Sequence, residues 1–525
     1  MPRLTTAKLS VAWSHRSARA VVWAASALLA TALALPAVWW RVLHEDELVT
    51  LDIAPRSFDT IVDAVFVRRG GAPLHFFLEH FLLAWPGGVV GLRLPSLVLF
   101  LIALPAAGLV AERLTGETAA RLLVPVLAAA PLAVGLATFG RMYTLFLAAV
   151  LWTTLFALVA AERGRPLLWA AAGAALGALV YVHPIAPLSI GIALLAALLH
   201  GWTDARSAVR TAWPAPIAAV VVGLPFYLHS ISVLRVRYDV FRGREALGTE
   251  PGSSVPAVSL ESLVPGGTPG QIAFLLLAAV GIASLARSRP RSAAVIALWI
   301  VVPVAFFTLV PSEGTLFFPR YLIPSLPYAL LAVVAGGLAL ARRGGLGGTG
   351  RVAAALAVIS LFASEVYADV DRLRTTALFE LPEIVDAVAE HREDGVLFSS
   401  FEAPHLDRSV VLEVEGLRHV ESRCSRLVPY LDGPAEARRG IWLLTGNRDV
   451  VAAGSERLRR RDDVELERFG RTVMLVVTSR PAGPRDLLTL GRDLRATWFG
   501  GDEQPHVTRG ARRETLALTG RCRRF

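Results

Sequence analysis

Just after an aromatic pair, Trp39-Trp40, the chain carries the run Arg41-Val42-Leu43-His44-Glu45-Asp46-Glu47. Three adjacent carboxylates repel one another, and the repulsion favours a proton or a cation in their midst. That is the condition under which a carboxylate serves as a general base or a metal ligand. A solvated loop with incidental acids looks the same, so the surroundings decide. Asp46 is the first candidate for the base and Glu47 the second, because adjacent side chains point different ways in a helix or a strand. The same pair would be the ligands of a divalent ion, and His44 is a candidate substrate contact.

Three arginines open apolar stretches: Arg93 in Gly91-Leu92-Arg93-Leu94-Pro95-Ser96, Arg141 in Gly140-Arg141-Met142-Tyr143, and Arg320 in Phe318-Pro319-Arg320-Tyr321-Leu322-Ile323-Pro324. A guanidinium fork matches phosphate oxygens, so three at one membrane depth make a phosphate clamp. Interfacial snorkelling to lipid headgroups is the alternative for any one of them. Tyr143, Tyr321 and His183, the last in Tyr181-Val182-His183-Pro184, are candidate contacts to sugar or phosphate; a lone His before Pro at a helix end also serves structure. Arg235, Arg237, Arg242 and Arg244 read as a solvated basic run.

These groups are set between long apolar segments. With 54% apolar and only 18% charged residues and a mean hydropathy of +0.53, the composition excludes an ordinary soluble enzyme, which carries about 25% charge. The net charge of +10 is distributed unevenly: residues 1–368 hold 27 Lys/Arg against 17 Asp/Glu, and residues 369–525 hold 26 of each. Basic residues parcelled into short runs between apolar stretches set membrane topology and do not bind nucleic acid.

Apolar runs long enough to cross a bilayer lie near 18–40, 94–111, 121–138, 142–161, 167–182, 184–200, 211–228, 271–286, 292–310, 322–341 and 352–368. The stretch 72–86 is bracketed by Pro73 and Pro86, interrupted by His75, Glu79 and His80, and reads as an interfacial helix. If it does not cross, all the basic connectors share the side of the N-terminus, as the positive-inside rule requires. The expected fold is therefore a polytopic α-helical membrane protein of about 11 spans. Residues 1–17 form a cytoplasmic N-terminus, 18–368 the transmembrane domain with a first outer loop at 41–93, and 369–525 an exocytoplasmic α/β domain. The α/β reading rests on strand-like runs at 395–401, 441–445 and 473–478 and helix-like runs at 381–392 and 449–461. Outside is also where a disulfide between Cys424 and Cys522 persists, two free thiols being the other reading. The multi-pass protein is expected in the plasma (inner) membrane.

The acidic pair after the first span, the Gly71-Ala72-Pro73-Leu74-His75 segment and the Arg93-Leu94-Pro95-Ser96 start of the second span, in that order, resemble the GT-C superfamily of membrane glycosyltransferases. The closest likeness is to glycosyltransferase family 39, the branch of the protein O-mannosyltransferases and the bacterial lipid A aminoarabinose transferases, and it covers about residues 18–370. The resemblance implies transfer of a hexosyl or pentosyl group from a polyprenyl-phosphate donor to a hydroxyl of a glycan, lipid or protein, with inversion, at the outer face of the cell envelope. It further implies that Asp46 is the base, or helps bind a divalent metal, and that Arg93 lies on the donor side. The chain departs from the family in its second outer loop, where many members carry another acidic residue and this one has Arg141, Met142 and Tyr143.

A transporter or flippase of lipid-linked glycans is the alternative. It calls for charged residues at mid-span and for broken helices, whereas Glu365 is nearly the only carboxylate within a span, near its outer end.

Overall fold

The computed structural model describes residues 6–40, 43–68, 71–83, 88–201, 210–241, 255–264, 267–309, 319–342, 363, 381–398, 406, 410–411, 414, 416–420, 436–445, 448–469 and 473–499. Two compact units emerge, one of residues 1–39 and 46–375 and one of residues 40–45 and 376–525.

All the regular secondary structure among the described residues of the first unit is helical. In chain order it contains α1 (Thr6–Trp40), α2 (Glu45–Ile53), α3 (Phe58–Ile61, continuing as a π turn over Val62–Val67), α4 (Leu74–Leu82) and α5 (Gly88–Thr115). There follow α6 (Glu117–Ala128), α7 (Pro131–Ala137), α8 (Tyr143–Arg163), α9 (Pro166–Gly177), which tightens into a 3-10 turn over Ala178–Tyr181, and α10 (Ala186–Gly201). The remainder is α11 (Pro214–Phe241), α12 (Val255–Leu263), α13 (Gly267–Ser288), α14 (Pro290–Leu309), a 3-10 turn at Pro319–Leu322, and α15 (Leu326–Arg342).

Six helices are long and apolar enough to cross a membrane, and a seventh crossing arises if α6 and α7 form one span bent by 57°. These are counted among the described residues by length and composition, and they fall on seven of the eleven apolar runs read from the sequence. The expected spans 167–182, 184–200 and 322–341 are apolar helices of 10–17 residues, and 352–368 lies outside the described residues. Pro131 starts α7; it has no N–H to continue the ladder of α6, so the break falls there.

Small residues set the helix spacing. A Cβ at Gly281 of α13 would collide with the carbonyl of Ala332 in α15, and one at Gly336 of α15 with the carbonyl of Leu277 in α13. Gly173 and Gly177 of α9 press in the same way on Ala215 and Ala219 of α11. Apolar helices gain little from hydrophobic burial in lipid, so close backbone approach through small residues supplies the packing. Beside the α13–α15 contact, Trp299 and Tyr328 stack with ring centroids 4.8 Å apart.

The second unit holds a five-stranded sheet of order β2-β1-β3-β5-β4, with β1 at Gly395–Phe398, β2 at Arg418–Val420, β3 at Arg439–Thr445, β4 at Val464–Phe469 and β5 at Val473–Thr478. Strand β1 is parallel to β2 and β3, while β5 is antiparallel to β3 and β4. Side chains alternate between the faces with the strand period of two. Leu397, Leu443 and Leu475 pack with Ile384 and Val388 of α16 (Leu381–Ala389). Val396, Trp442 and Val476 pack with Val451 of α17 (Arg448–Leu458) and Leu487 of α18 (Pro484–Phe499). Both faces are covered, which explains the uninterrupted apolar run Val473-Met474-Leu475-Val476-Val477. Cys424 and Cys522 lie outside the described residues.

Gly336→Leu and Gly281→Leu should each destabilise the protein by about 1–3 kcal/mol through overpacking. Thermal melting in detergent should show the loss, with Gly191→Ala, where nothing lies within 4 Å of the added carbon, as the unperturbed control.

Candidate active site

The first turns of α2 and α5 and the turn 138–142 meet around one ion pair. Arg93 and Glu47 are both fully buried, with the Arg93 Nε donating to Glu47 Oε1 at 2.8 Å and Nη2 to Oε2 at 2.9 Å. This is the two-pronged guanidinium–carboxylate geometry that gives the strongest such pairing. Arg93 Nη1 reaches the carbonyls of Ala37 and Val38 at 3.4 Å, and the backbone N–H of Gly140 donates to Glu47 Oε1 at 2.8 Å. Ser96, one turn along α5 from Arg93, donates to the carbonyl of Phe139 at 2.7 Å. Gly140 has to be glycine: a Cβ there would fall on the Leu92 side chain.

The pair therefore ties α1, α2, α5 and the 138–142 turn together, and its groups are spent in doing so. Glu47 and Arg93, expected from their types as second base or metal ligand and as phosphate ligand, are paired with each other in the interior. Removing them from water is tolerable only because each polar atom meets a partner.

Asp46, next in the chain to Glu47, points elsewhere. Its carboxylate lies 3.0 Å from Arg320 Nη2 and 4.0 Å from Arg141 Nη2, with its side chain 29% exposed. Arg141 also donates to Thr50 Oγ1 at 3.1 Å, and its guanidinium sits 5.6 Å from the centre of the Phe76 ring. Arg320, in the 3-10 turn before α15, lies over Tyr143 at 5.3 Å and Phe139 at 5.9 Å. These are cation–π distances, so the rings help to fix both guanidinium planes.

Below the arginines, rings fill the space between helices. His183 stacks on Phe146 with centroids 4.8 Å apart and lies 5.6 Å from Tyr143 and 5.5 Å from Tyr321. Burial, then Arg141 and Arg320, hold its imidazole down to about 3, so it is neutral. The structure thus gathers Asp46, Arg141, Arg320, Tyr143, His183 and Tyr321. It keeps Arg93 and Glu47 behind them, and His44 belongs to the other compact unit.

A divalent ion does not fit this donor set. Both Glu47 oxygens face Arg93 or Gly140, and Asp46 is bracketed by two guanidinium cations that would repel a metal. Among the described residues no group of three or more His, Cys, Asp or Glu side chains could hold one.

Several contributors carry no signal in the sequence. Thr50 is one turn beyond Asp46 on α2, a spacing that could have suggested it. Helix α4 packs with its polarity reversed: His75 and Glu79 are buried, whereas Phe81 is 65% exposed. His75 Nδ1 lies 3.8 Å from Glu79 Oε1, and neither the other His75 nitrogen nor either Glu79 oxygen has a hydrogen-bond partner. Burial pushes the Glu79 carboxyl up to about 9; burial, then Arg141, pulls the His75 imidazole down to about 3.

No protein-family model and no curated protein matches the sequence. Among solved structures, ArnT from Cupriavidus metallidurans bound to undecaprenyl phosphate is similar at a TM-score of 0.52 and 15% identity, over 87% of this chain and 97% of that one. Its apo form gives a TM-score of 0.53 at 15% identity, over 89% and 98%. The fold is that of ArnT. The fold expected from the motifs, a polytopic helical membrane protein, agrees with this likeness. The Archaeoglobus fulgidus oligosaccharyltransferase is more distant, at a TM-score of 0.49 and 12% identity over 76% of this chain and 64% of that one.

Arg93→Ala leaves a buried carboxylate unpaired and should cost about 3–5 kcal/mol, read as a lower melting temperature in detergent. The His75–Glu79 pair sets a pH window. Glu79 is neutral when folded, so its stabilising contribution is complete below its ordinary value of 4.5 and declines as pH rises from there to about 9. His75 acts oppositely, its contribution complete above 6.5 and declining as pH falls toward about 3. The two slopes cancel between those ordinary values, so Glu79→Gln should flatten the fall in melting temperature above pH 6.5 without changing the fall below 4.5.

Proposed function

We propose that this chain is an integral-membrane glycosyltransferase that moves a hexosyl or pentosyl group from a polyprenyl-phosphate donor to a hydroxyl of a glycan, lipid or protein. The observation that carries the reading is the convergence of one carboxylate, Asp46, with two arginines, Arg141 and Arg320, at the heads of apolar helices. The fold shared with a protein whose structure holds undecaprenyl phosphate supports a polyprenyl-linked donor.

In this mechanism the acceptor hydroxyl gives its proton to an Asp46 carboxylate oxygen as its own oxygen attacks the anomeric carbon. The carbon–oxygen bond to phosphate breaks on the far side, the configuration inverts, and the phosphate leaves with the electron pair. Charge on that phosphate grows through the transition state, and Arg141 and Arg320 offset it. Thr50 and the rings of Phe76, Tyr143 and Phe139 hold those guanidiniums, so little reorganisation is needed. Tyr143 and Tyr321 line the donor side. Arg93 and Glu47 act on the reaction by fixing the direction in which Asp46 and Arg141 point.

The reaction belongs at the outer face of the plasma (inner) membrane, with the N-terminus in the cytoplasm and residues 369–525 outside as an α/β domain. The distribution of basic connectors supports that orientation.

Purified protein incubated with polyprenyl-phosphate sugars should release polyprenyl phosphate, and Asp46→Asn should slow release by about 100 to 10,000-fold while melting like the wild type. Transfer by Asp46→Asn at the wild-type rate would remove Asp46 from the role of base. Scrambling of lipid-linked sugar without release from any donor would point instead to a flippase.

A further inference from the structure

The three charged groups of the site do not account for His183. Its Nδ1 accepts the backbone N–H of Ile185 at 3.2 Å. A ring nitrogen that accepts a hydrogen bond carries no proton, so in the neutral imidazole the proton resides on Nε2. That Nε2–H has no hydrogen-bond partner, although the residue is only 3% exposed. A buried N–H left without an acceptor is rare in a folded protein and calls for an explanation.

The surroundings say what acceptor it awaits. The groups packed round the imidazole are Phe146 and Tyr143 of α8, Tyr321 of the 3-10 turn, and the charges of Arg141 and Arg320. No carboxylate is among those facing groups, and the two cations favour an incoming anion. The Asp46 side chain is 29% exposed and those of Arg320 and Arg141 20% and 11%, while His183 as a whole residue is buried at 3%. The acceptor hydroxyl must meet Asp46 at the open end, and the leaving group must lie on the opposite side of the anomeric carbon, toward the buried end.

We propose that His183 is a donor-binding residue whose neutral Nε2–H donates to a phosphate oxygen of the polyprenyl-phosphate group held by Arg141 and Arg320. This rests on the glycosyltransferase reading and deepens it. The backbone N–H of Ile185 locks the tautomer, and protonation of Nδ1 would break that hydrogen bond as well as place a third cation beside two arginines. His183 therefore offers a directional donor of constant charge, where a third cation would hold product phosphate too firmly to release it.

The test is equilibrium binding of undecaprenyl phosphate to the full-length protein in nanodiscs at pH 5.5 to 8, comparing wild type with His183→Phe, which keeps a ring against Phe146 but has no donor. A lost hydrogen bond to a charged partner predicts about tenfold weaker binding, in a ratio of wild type to variant that stays constant over the pH range. His183→Gln, with an amide N–H, should recover affinity that the similarly shaped His183→Met does not, and this pair decides the matter if Phe is not tolerated. Equal affinity of wild type and correctly folded Phe and Met variants would overturn the proposal, leaving Nε2–H directed at the face of a ring. A ratio that grows below pH 6.5 would overturn it as well, because the imidazolium would then be the binding form. If wild-type protein binds no undecaprenyl phosphate at any pH, the polyprenyl-phosphate reading itself falls, a result distinct from a mere loss of difference between variants.

Discussion

The arrangement depends on a buried charge pair. Glu47 and Arg93 have no exposed surface, and the hydrogen bonds that converge on the pair from α1, α2, α5 and the 138–142 turn offset the cost of burying it. Where other helix contacts, such as α9–α11 and α13–α15, close through small apolar residues, this one is directional. Apolar surfaces permit sliding and rotation, whereas a fork of two donors on two acceptors fixes both distance and angle. Because Asp46 follows immediately on the helix, fixing Glu47 inward turns Asp46 toward the arginines. The Gly140 N–H places Arg141 by the same logic from the other side.

Much of this was legible in the residues. The acidic run, the three arginines that open apolar stretches and the aromatic neighbours were all visible. The division of labour was not. Glu47 and Asp46 are chemically similar in one dimension, and only the partner across the fold separates the carboxylate that meets Arg93 from the one that meets Arg320 and Arg141. Arg93 and Arg141 open comparable motifs, yet one is 0% exposed and the other retains contact with solvent. Helix α4 misleads in another way, since its acid and histidine look like the wet side of an interfacial helix and in fact face inward.

The number of spans follows less directly from the residues. Hydropathy registers apolar length, but the bend between α6 and α7 and the short helices α9, α10 and α15 depend on backbone breaks and on neighbours. Proline at 131 marks one such break, and Pro166, Pro184 and Pro327 stand at or near the starts of α9, α10 and α15. In the second unit, β1, β3 and β5 stood out because they are almost wholly apolar, while Val464–Phe469 hid among its charges as a strand whose burial runs only at its two ends.

The contact between Asp46 and Arg320 bears on the order of events in the proposed reaction. The Asp46 carboxylate lies 3.0 Å from the guanidinium that the proposal assigns to a phosphate, so under that proposal carboxylate and phosphate would compete for one cation. Lipid phosphate would then bind first and free a carboxylate oxygen for the acceptor.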